Sequence, residues 1–362
     1  MDKKKIRVLQ YVPTLGRGGI SSVVLNYYKH INKEKFIFDF ITHGKVEDFH
    51  KAIKATGSNI YYVGSIRENG VFRYFNKIRK IFREGEYDII HFHVTGLRWL
   101  LLADARKNAH KLVLTHAHST KVSNISRLYV LFAAMLNVKF LACGMQAGDA
   151  FYFGKPFTLL PNAIEVDKFI FVDKEKVNNI RNSIICSQDT LLIGTVGILN
   201  VQKNHSFLIK LAVEMRMKNL DFHIIIVGDG PLKKQIQESI KAYNLNRYFT
   251  LLGKRNDVNV ILNSLDIFVL PSLFEGLPVV GIEAQFSGCS CIFSDSVTKE
   301  VNQNITPVEF LSLSSVDKWI ESIEKFGKRF TSREEVQEKA CDSLYSIRNS
   351  VKLLEKIYLD ER

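Results

Sequence analysis

A chain of 362 residues with 46% hydrophobic and 24% charged residues has the composition of an ordinary globular protein and the length for two domains. No run of about 18 uninterrupted apolar residues occurs, so no membrane span is expected, and the basic start runs into a strand-like segment without the apolar stretch of a secretory signal, which points to the cytoplasm. The net charge of +13 lies in the first half: residues 1–164 hold 25 Lys and Arg against 11 Asp and Glu, residues 165–362 hold 25 against 26. That field favours an anionic partner, whether a phosphate-bearing substrate or an anionic lipid surface. Nucleic acid is not expected, because charge alone supports it and no recognisable module accompanies the charge.

Ile6–Val12 reads as a strand, followed by a Gly-rich turn and a helix from about Ser21 to His30. Phe36–Thr42 and Asn59–Val63 read as strands and Val71–Glu84 as an amphipathic helix; Asp88–Val94, Lys111–His116 and Lys139–Cys143 are further strands. The alternation then restarts with strand Thr190–Val196, helix Asn204–Lys218 and strand Phe222–Val227. Phe249–Leu252, Ile267–Leu270 and Ser290–Phe293 continue it. Such βα alternation implies parallel sheets covered by helices, and two such halves imply two doubly wound domains. Ligands then sit at the carboxyl ends of the strands, in a cleft between the domains. The junction is expected near Pro161–Lys176. The tail Ser343–Tyr358 carries Leu344, Ile347, Val351, Leu354 and Tyr358 at helical spacing and could pack on either domain. The five cysteines form no Cys-x-x-Cys pair, and Cys289 and Cys291, in an apolar run, read as small buried side chains.

Four places carry chemistry. Gly16-Arg17-Gly18-Gly19 follows the first strand and precedes a helix, where a glycine backbone and a helix start suit an anionic or polar ligand or simply a tight turn. His91-Phe92-His93 and His116-Ala117-His118-Ser119 end two strands. Residues two apart share a strand face, but later strand ends lack the further ligands of a metal site, so a polar lining is expected rather than a metal. Lys203, at the mouth of a strand-to-helix loop after Gly197, can reach a diphosphate. Glu275-Gly276-Leu277-Pro278 is expected at a helix start, with Pro278 in the first turn and Glu283 farther along the same helix, about 12 Å on and 80° round. Glutamate suits paired hydroxyls, since both of its oxygens accept.

At these residues the chain resembles glycosyltransferase family 4, retaining enzymes of the GT-B fold, and in particular the bacterial capsular and exopolysaccharide transferases. The marks are the early Gly-Gly loop, Asp88–His93, His116–Ser119, Leu160-Pro161-Asn162-Ala163-Ile164, Gln202-Lys203-Asn204, Val227–Pro231 and the Glu-x7-Glu segment Glu275–Glu283. The resemblance implies two Rossmann-like domains facing a central cleft, an acceptor domain 1–168 with the tail 345–362 crossing back to it, and a donor domain 169–344. It implies that Gly16, Gly18 and Gly19 approach the donor phosphates and that Lys203, beside Gly197, binds the diphosphate. Glu275 with Gly276, Leu277 and Pro278 would hold the sugar, Glu283 the ribose, and Lys254 and Arg255 would border the base. His93, His118 and Ser119 would lie on the acceptor side, with His118 touching the transferred sugar or the acceptor. His118, Lys203 and Glu275 are thus the catalytic candidates, with no metal or other cofactor.

One departure stands out: Ile198 occupies the place where the family carries an arginine that partners the lysine, so Arg17, Lys254 or Arg255 is expected to compensate. The expected activity is front-face transfer from a nucleotide-sugar, a UDP-sugar by resemblance, to a glycan or polyprenyl-diphosphate-linked acceptor. A non-catalytic nucleotide-sugar-binding subunit and an epimerase of the same architecture are the alternatives. The helix Val71–Glu84, pairing Phe72, Phe75, Ile78 and Phe82 with Arg73, Lys77, Lys80 and Arg83, could lie on an anionic membrane or could cover the sheet. Nothing in the sequence sets an oligomeric state.

Overall fold

Near-continuous apolar strands need helices on both faces, and that requirement organises each half of the chain. The computed structural model describes all residues except 1–3, 16–18, 45–52, 54–55, 94–95, 120–121, 123, 185–186, 188, 328–330 and 360–362. The chain divides into one unit of residues 1–164 with 347–362 and another of residues 165–346. The divisions fall four residues before and two residues after those expected from the sequence.

The first unit is built on seven strands: β1 (Ile6–Tyr11), β2 (Phe36–Thr42), β3 (Ile60–Tyr62), β4 (Ile89–Phe92), β5 (Leu112–Ala117), β6 (Lys139–Ala142) and β7 (Thr158–Leu159). All pair in parallel, in the order β3-β2-β1-β4-β5-β6-β7. Alternation along β1 sends Leu9 and Tyr11 to one face and Val8 to the other. The Leu9 face is covered by helices Val71–Glu84, Leu102–Asn108, Asn124–Met135 and Met145–Tyr152, and the Val8 face by helices Gly19–His30 and Ile347–Leu359.

The last helix settles where the tail packs. Its Leu354 and Tyr358 are buried beside Val24 and Phe38, and it packs on helix Gly19–His30. It starts at Ile347, four residues later than expected, where the Ile347 amide donates to the Ile164 carbonyl at 2.9 Å and returns the chain to the first unit. Leu344, counted in the apolar stripe, lies outside the helix and is exposed. The Val71–Glu84 helix covers the sheet: Tyr74, Phe75, Ile78 and Phe82 are buried, while Arg73, Lys77, Lys80 and Arg83 face outward with Phe72. Three of the four apolar residues read as membrane-facing therefore belong to the core, which corrects that reading of this helix. Among the described residues no helix is long and apolar enough to cross a membrane.

The second unit repeats the plan with β8 (Leu191–Val196), β9 (Phe222–Val227), β10 (Phe249–Gly253), β11 (Ile267–Leu270), β12 (Ser290–Ser294) and β13 (Val308–Leu311). Its parallel order is β10-β9-β8-β11-β12-β13. In both sheets the order reverses beside the first strand, between β1 and β4 and between β8 and β11. The crevice outside the strand ends at such a reversal is where doubly wound sheets bind ligands.

Leu354 is 2% exposed. Leu354→Ala should cost the first unit about 2–4 kcal/mol. Hydrogen exchange should speed up in β1 and in helix Gly19–His30 while β8–β12 keep their protection.

Candidate active site

At the reversal in the second unit, the loops leaving β8 and β11 lie side by side. The Leu273 amide donates to the Gln202 carbonyl at 2.8 Å, Gln202 Nε2 to the Phe274 carbonyl at 3.1 Å, and Asn204 Nδ2 to the Pro271 carbonyl at 3.1 Å. These bonds bring Lys203 Nζ to 2.6 Å from Glu275 Oε1, with both side chains mostly buried. Ser272 Oγ donates to the same carboxylate oxygen at 2.9 Å. Gly197 makes room for the lysine, since a Cβ there would lie 2.9 Å from Lys203 Cε. Gly228, at φ +139°, passes so close that its Cβ would meet the Gly197 carbonyl oxygen at 1.9 Å. Only glycine fits that approach.

A cavity of about 500 Å³ opens beside this pair, lined by Lys203, Gly197, Ile198 and Glu283 and, from residues the sequence reading passed over, by Lys168 and Asn259. That volume suits a ligand of nucleotide size. Burial pushes the Glu283 carboxyl up to about 7. Ile198 is exposed at the cavity, where an arginine would have supplied a second cation. Of the basic residues expected to compensate, Arg255 is committed to Asp257 through two bonds of 2.8 and 2.6 Å, Lys254 is exposed, and Arg17 lies outside the described residues. Lys168 lines the cavity instead, ion-paired with Glu165 at 2.8 Å.

Glu275 and Glu283 do not share a helix. The helix spans Val279–Phe286 with Pro278 as its N-cap, so Glu275, Gly276 and Leu277 precede it and the helical arc between the two acids does not apply. Pro278 keeps a helix-compatible φ of −76° but an extended ψ of 98°, so it caps the helix instead of lying in its first turn. A Cβ on Gly276 or on Gly19, the first residue of helix Gly19–His30, would meet nothing within 4 Å. Internal packing therefore does not require either glycine. Gly16 and Gly18 lie outside the described residues.

In the first unit four histidines gather on adjacent strands. The His91 and His93 rings lie 4.2 Å apart, those of His116 and His118 4.1 Å, and those of His93 and His118 5.2 Å. Burial lowers the pKa of all four, that of His118 to about 4, which keeps the rings neutral at neutral pH. Hydrogen bonding then orders their protons. His93 Nε2 donates to Gln10 Oε1 at 2.8 Å, so His93 Nδ1 accepts from His118 Nε2 at 2.9 Å. Gln10 Nε2 donates to the Tyr358 hydroxyl at 2.8 Å, which donates to His91 Nδ1 at 2.8 Å. His116 Nε2 donates to the Leu160 carbonyl at 3.1 Å. His118 thereby presents Nδ1 as an acceptor, with exposed Ser119 following it.

His91, His93 and His116 are the group that could converge on a metal among the described residues, with nitrogens within 4.8 Å of one another. The group holds no carboxylate, and both His93 nitrogens are already bonded.

The glycosyl transferases group 1 family matches residues 176–340. The chain is 31% identical to EpsF of Bacillus subtilis (strain 168) over 99% of this chain and 97% of that one. It is 27% identical to the UDP-Gal:alpha-D-GlcNAc-diphosphoundecaprenol alpha-1,3-galactosyltransferase of Escherichia coli over 81% of this chain and 80% of that one. A glycosyltransferase structure from Rickettsia africae superposes with a TM-score of 0.79 at 16% identity, covering 99% of both chains.

Glu283 makes stability depend on pH. Its carboxyl, near 4.5 when unfolded, titrates at about 7 in the fold. Below 4.5 the group is neutral in both states. Between 4.5 and 7 the unfolded chain releases the proton first, so stability falls as pH rises. Glu283→Gln should gain on the order of 3 kcal/mol over the parent at pH 8 and nothing at pH 4. Urea unfolding at the two pH values checks this.

Proposed function

This chain belongs to the group 1 glycosyltransferases, and from that premise we propose that it moves a hexosyl group from a UDP-sugar to a glycan on a polyprenyl diphosphate, with retention at the anomeric carbon and without a metal ion. The observation that carries the reading is the Lys203–Glu275 pair at the strand-order reversal, beside a cavity of nucleotide size. The name of the Escherichia coli relative supports the donor and acceptor classes.

On this reading the donor diphosphate displaces Glu275 from Lys203, and the ammonium then stabilises the charge that grows on the leaving phosphate. Glu275, released and still held by Ser272, accepts from sugar hydroxyls. Glu283 accepts from the ribose. Lys168, exchanging Glu165 for a phosphate oxygen, supplies the second positive charge that Ile198 cannot. In the first unit, His118 Nδ1 accepts a hydrogen bond from a sugar or acceptor hydroxyl without taking its proton, the other ring nitrogen being held by His93. The acceptor hydroxyl attacks the face that the diphosphate leaves, and the leaving phosphate takes its proton. The product belongs to polysaccharide assembly of the capsular and exopolysaccharide kind.

Lys203→Ala should lower transfer by about a hundredfold or more, the usual cost of one such donor. It also leaves a buried carboxylate unpaired, which destabilises the unit, so Lys203→Met with Glu275→Gln serves as the folded comparison and should be equally inactive. A panel of nucleotide sugars with a polyprenyl-diphosphate glycan, read by NMR of the new linkage, tests the whole proposal. Undiminished turnover in either variant, or an inverted linkage, contradicts it. Donor binding without turnover in the parent protein would mark a binding subunit instead.

A further inference from the structure

The hydrogen bonds at the polar end of the first unit's sheet run in one direction. His118 donates to His93, His93 to Gln10, Gln10 to Tyr358 and Tyr358 to His91. With every proton moved to the other end of its bond these groups would be paired equally well, because an imidazole, an amide and a phenol each hold both a donor and an acceptor. His118 would then present an N–H instead of a bare nitrogen. What separates the two orders lies at the far end. The Leu160 carbonyl can only accept, so His116 carries its proton on Nε2 and its Nδ1 is bare. That atom and His91 Nε2 are buried without a hydrogen-bond partner among the described residues. The two rings are parallel to within 11°, with centres 5.6 Å apart, and line one cavity of about 10 Å³. In the observed order His91 Nε2 carries a proton near the bare nitrogen of His116. In the reverse order two lone pairs would share that buried space, where the low dielectric raises the cost of like polarity.

We infer that Tyr358 is a positioning residue: its hydroxyl carries this preference from His91 and His116 to His118, and so decides which His118 nitrogen is bare. A hydroxyl has one proton. Having given it to His91, Tyr358 can only accept from Gln10. The Gln10 amide oxygen is thereby turned to His93, the His93 proton stays on Nε2, and His93 Nδ1 is left to accept from His118. Tyr358 and Gln10 are 1% and 2% exposed, so solvent does not take the place of either. The use made of the bare His118 nitrogen rests on the transferase reading above; its protonation does not.

Isotope labelling of the histidine ring nitrogens in the full chain, read by NMR, reports the tautomer directly, with His118→Asn identifying the resonances. In the parent protein His118 Nδ1 should resonate as a bare nitrogen and Nε2 as a protonated one. Tyr358→Phe keeps the ring and removes the hydroxyl. Gln10 then turns over to give His93 an N–H, since a buried carbonyl tolerates the lack of a partner better than a buried N–H does, and the His118 proton should move to Nδ1 in most molecules. Tyr27→Phe is the comparison. It removes another buried phenol hydroxyl from the same face of the sheet, one that donates to the Pro161 carbonyl at 2.7 Å. It should cost similar stability without moving the His118 proton. A protonated Nδ1 in the parent, an unmoved proton in Tyr358→Phe, or an equal shift in Tyr27→Phe overturns the inference. Transfer by Tyr358→Phe should fall at least about fivefold in kcat/KM, the lower end of the cost of a mispaired polar group. Full turnover beside a moved proton counts against the role given to His118 and leaves the positioning role of Tyr358 standing.

Discussion

The ion pair between Lys203 and Glu275 is the contact on which the strand-end loops of the second unit depend. Burying two charges is seldom a net gain in stability, whereas stripping one from its partner is strongly unfavourable. The pair therefore holds the loops after β8 and β11 together until something else can take over both roles. A ligand with an anionic end and neighbouring hydroxyls meets that requirement, since the first replaces the carboxylate at Lys203 and the second replace the ammonium at Glu275. Geometry supports the arrangement from below. Gly197 and Gly228 bring backbone against backbone where any side chain would push the lysine away from its acid.

The first unit uses neutral groups in the same position of its sheet. Three imidazoles (His118, His93 and His91), an amide and a phenol form an ordered sequence of donors and acceptors in which each member fixes the proton of the next, while the fourth imidazole, His116, donates to the Leu160 carbonyl. Charge would disrupt it, and burial keeps charge out. The two halves share one strand order but solve the polar end of their sheets differently, one with a compensated ion pair and the other with a chain of oriented dipoles.

The parallel sheets were legible because strands covered on both faces read as apolar runs, and β2, β9 and β11 begin and end where the sequence puts them. β7 and β13 were not, since two or four half-buried residues carry no period. The chemistry was legible as residue types but not as partnerships. Lys203 and Glu275 are 72 positions apart, and nothing in either segment says that they neutralise each other. Lys168 carried no signal, being one lysine in a charged stretch. The helix Asn124–Met135 carries no sequence signal for its exposed side: its composition resembles a core helix, and only the packed structure reveals that one side is left to solvent. The Val71–Glu84 helix has the stronger amphipathic pattern, and that pattern reflects ordinary cover of a sheet.

The first unit is assembled from both ends of the chain. Tyr358 closes its polar network and Leu354 its apolar face, yet about 180 residues of the other unit separate them from Ile164. During synthesis the leading portion leaves the ribosome with that face bare and must wait for the whole second unit before its last helix arrives. The part made first is finished last, and the interval is when it is most prone to aggregate.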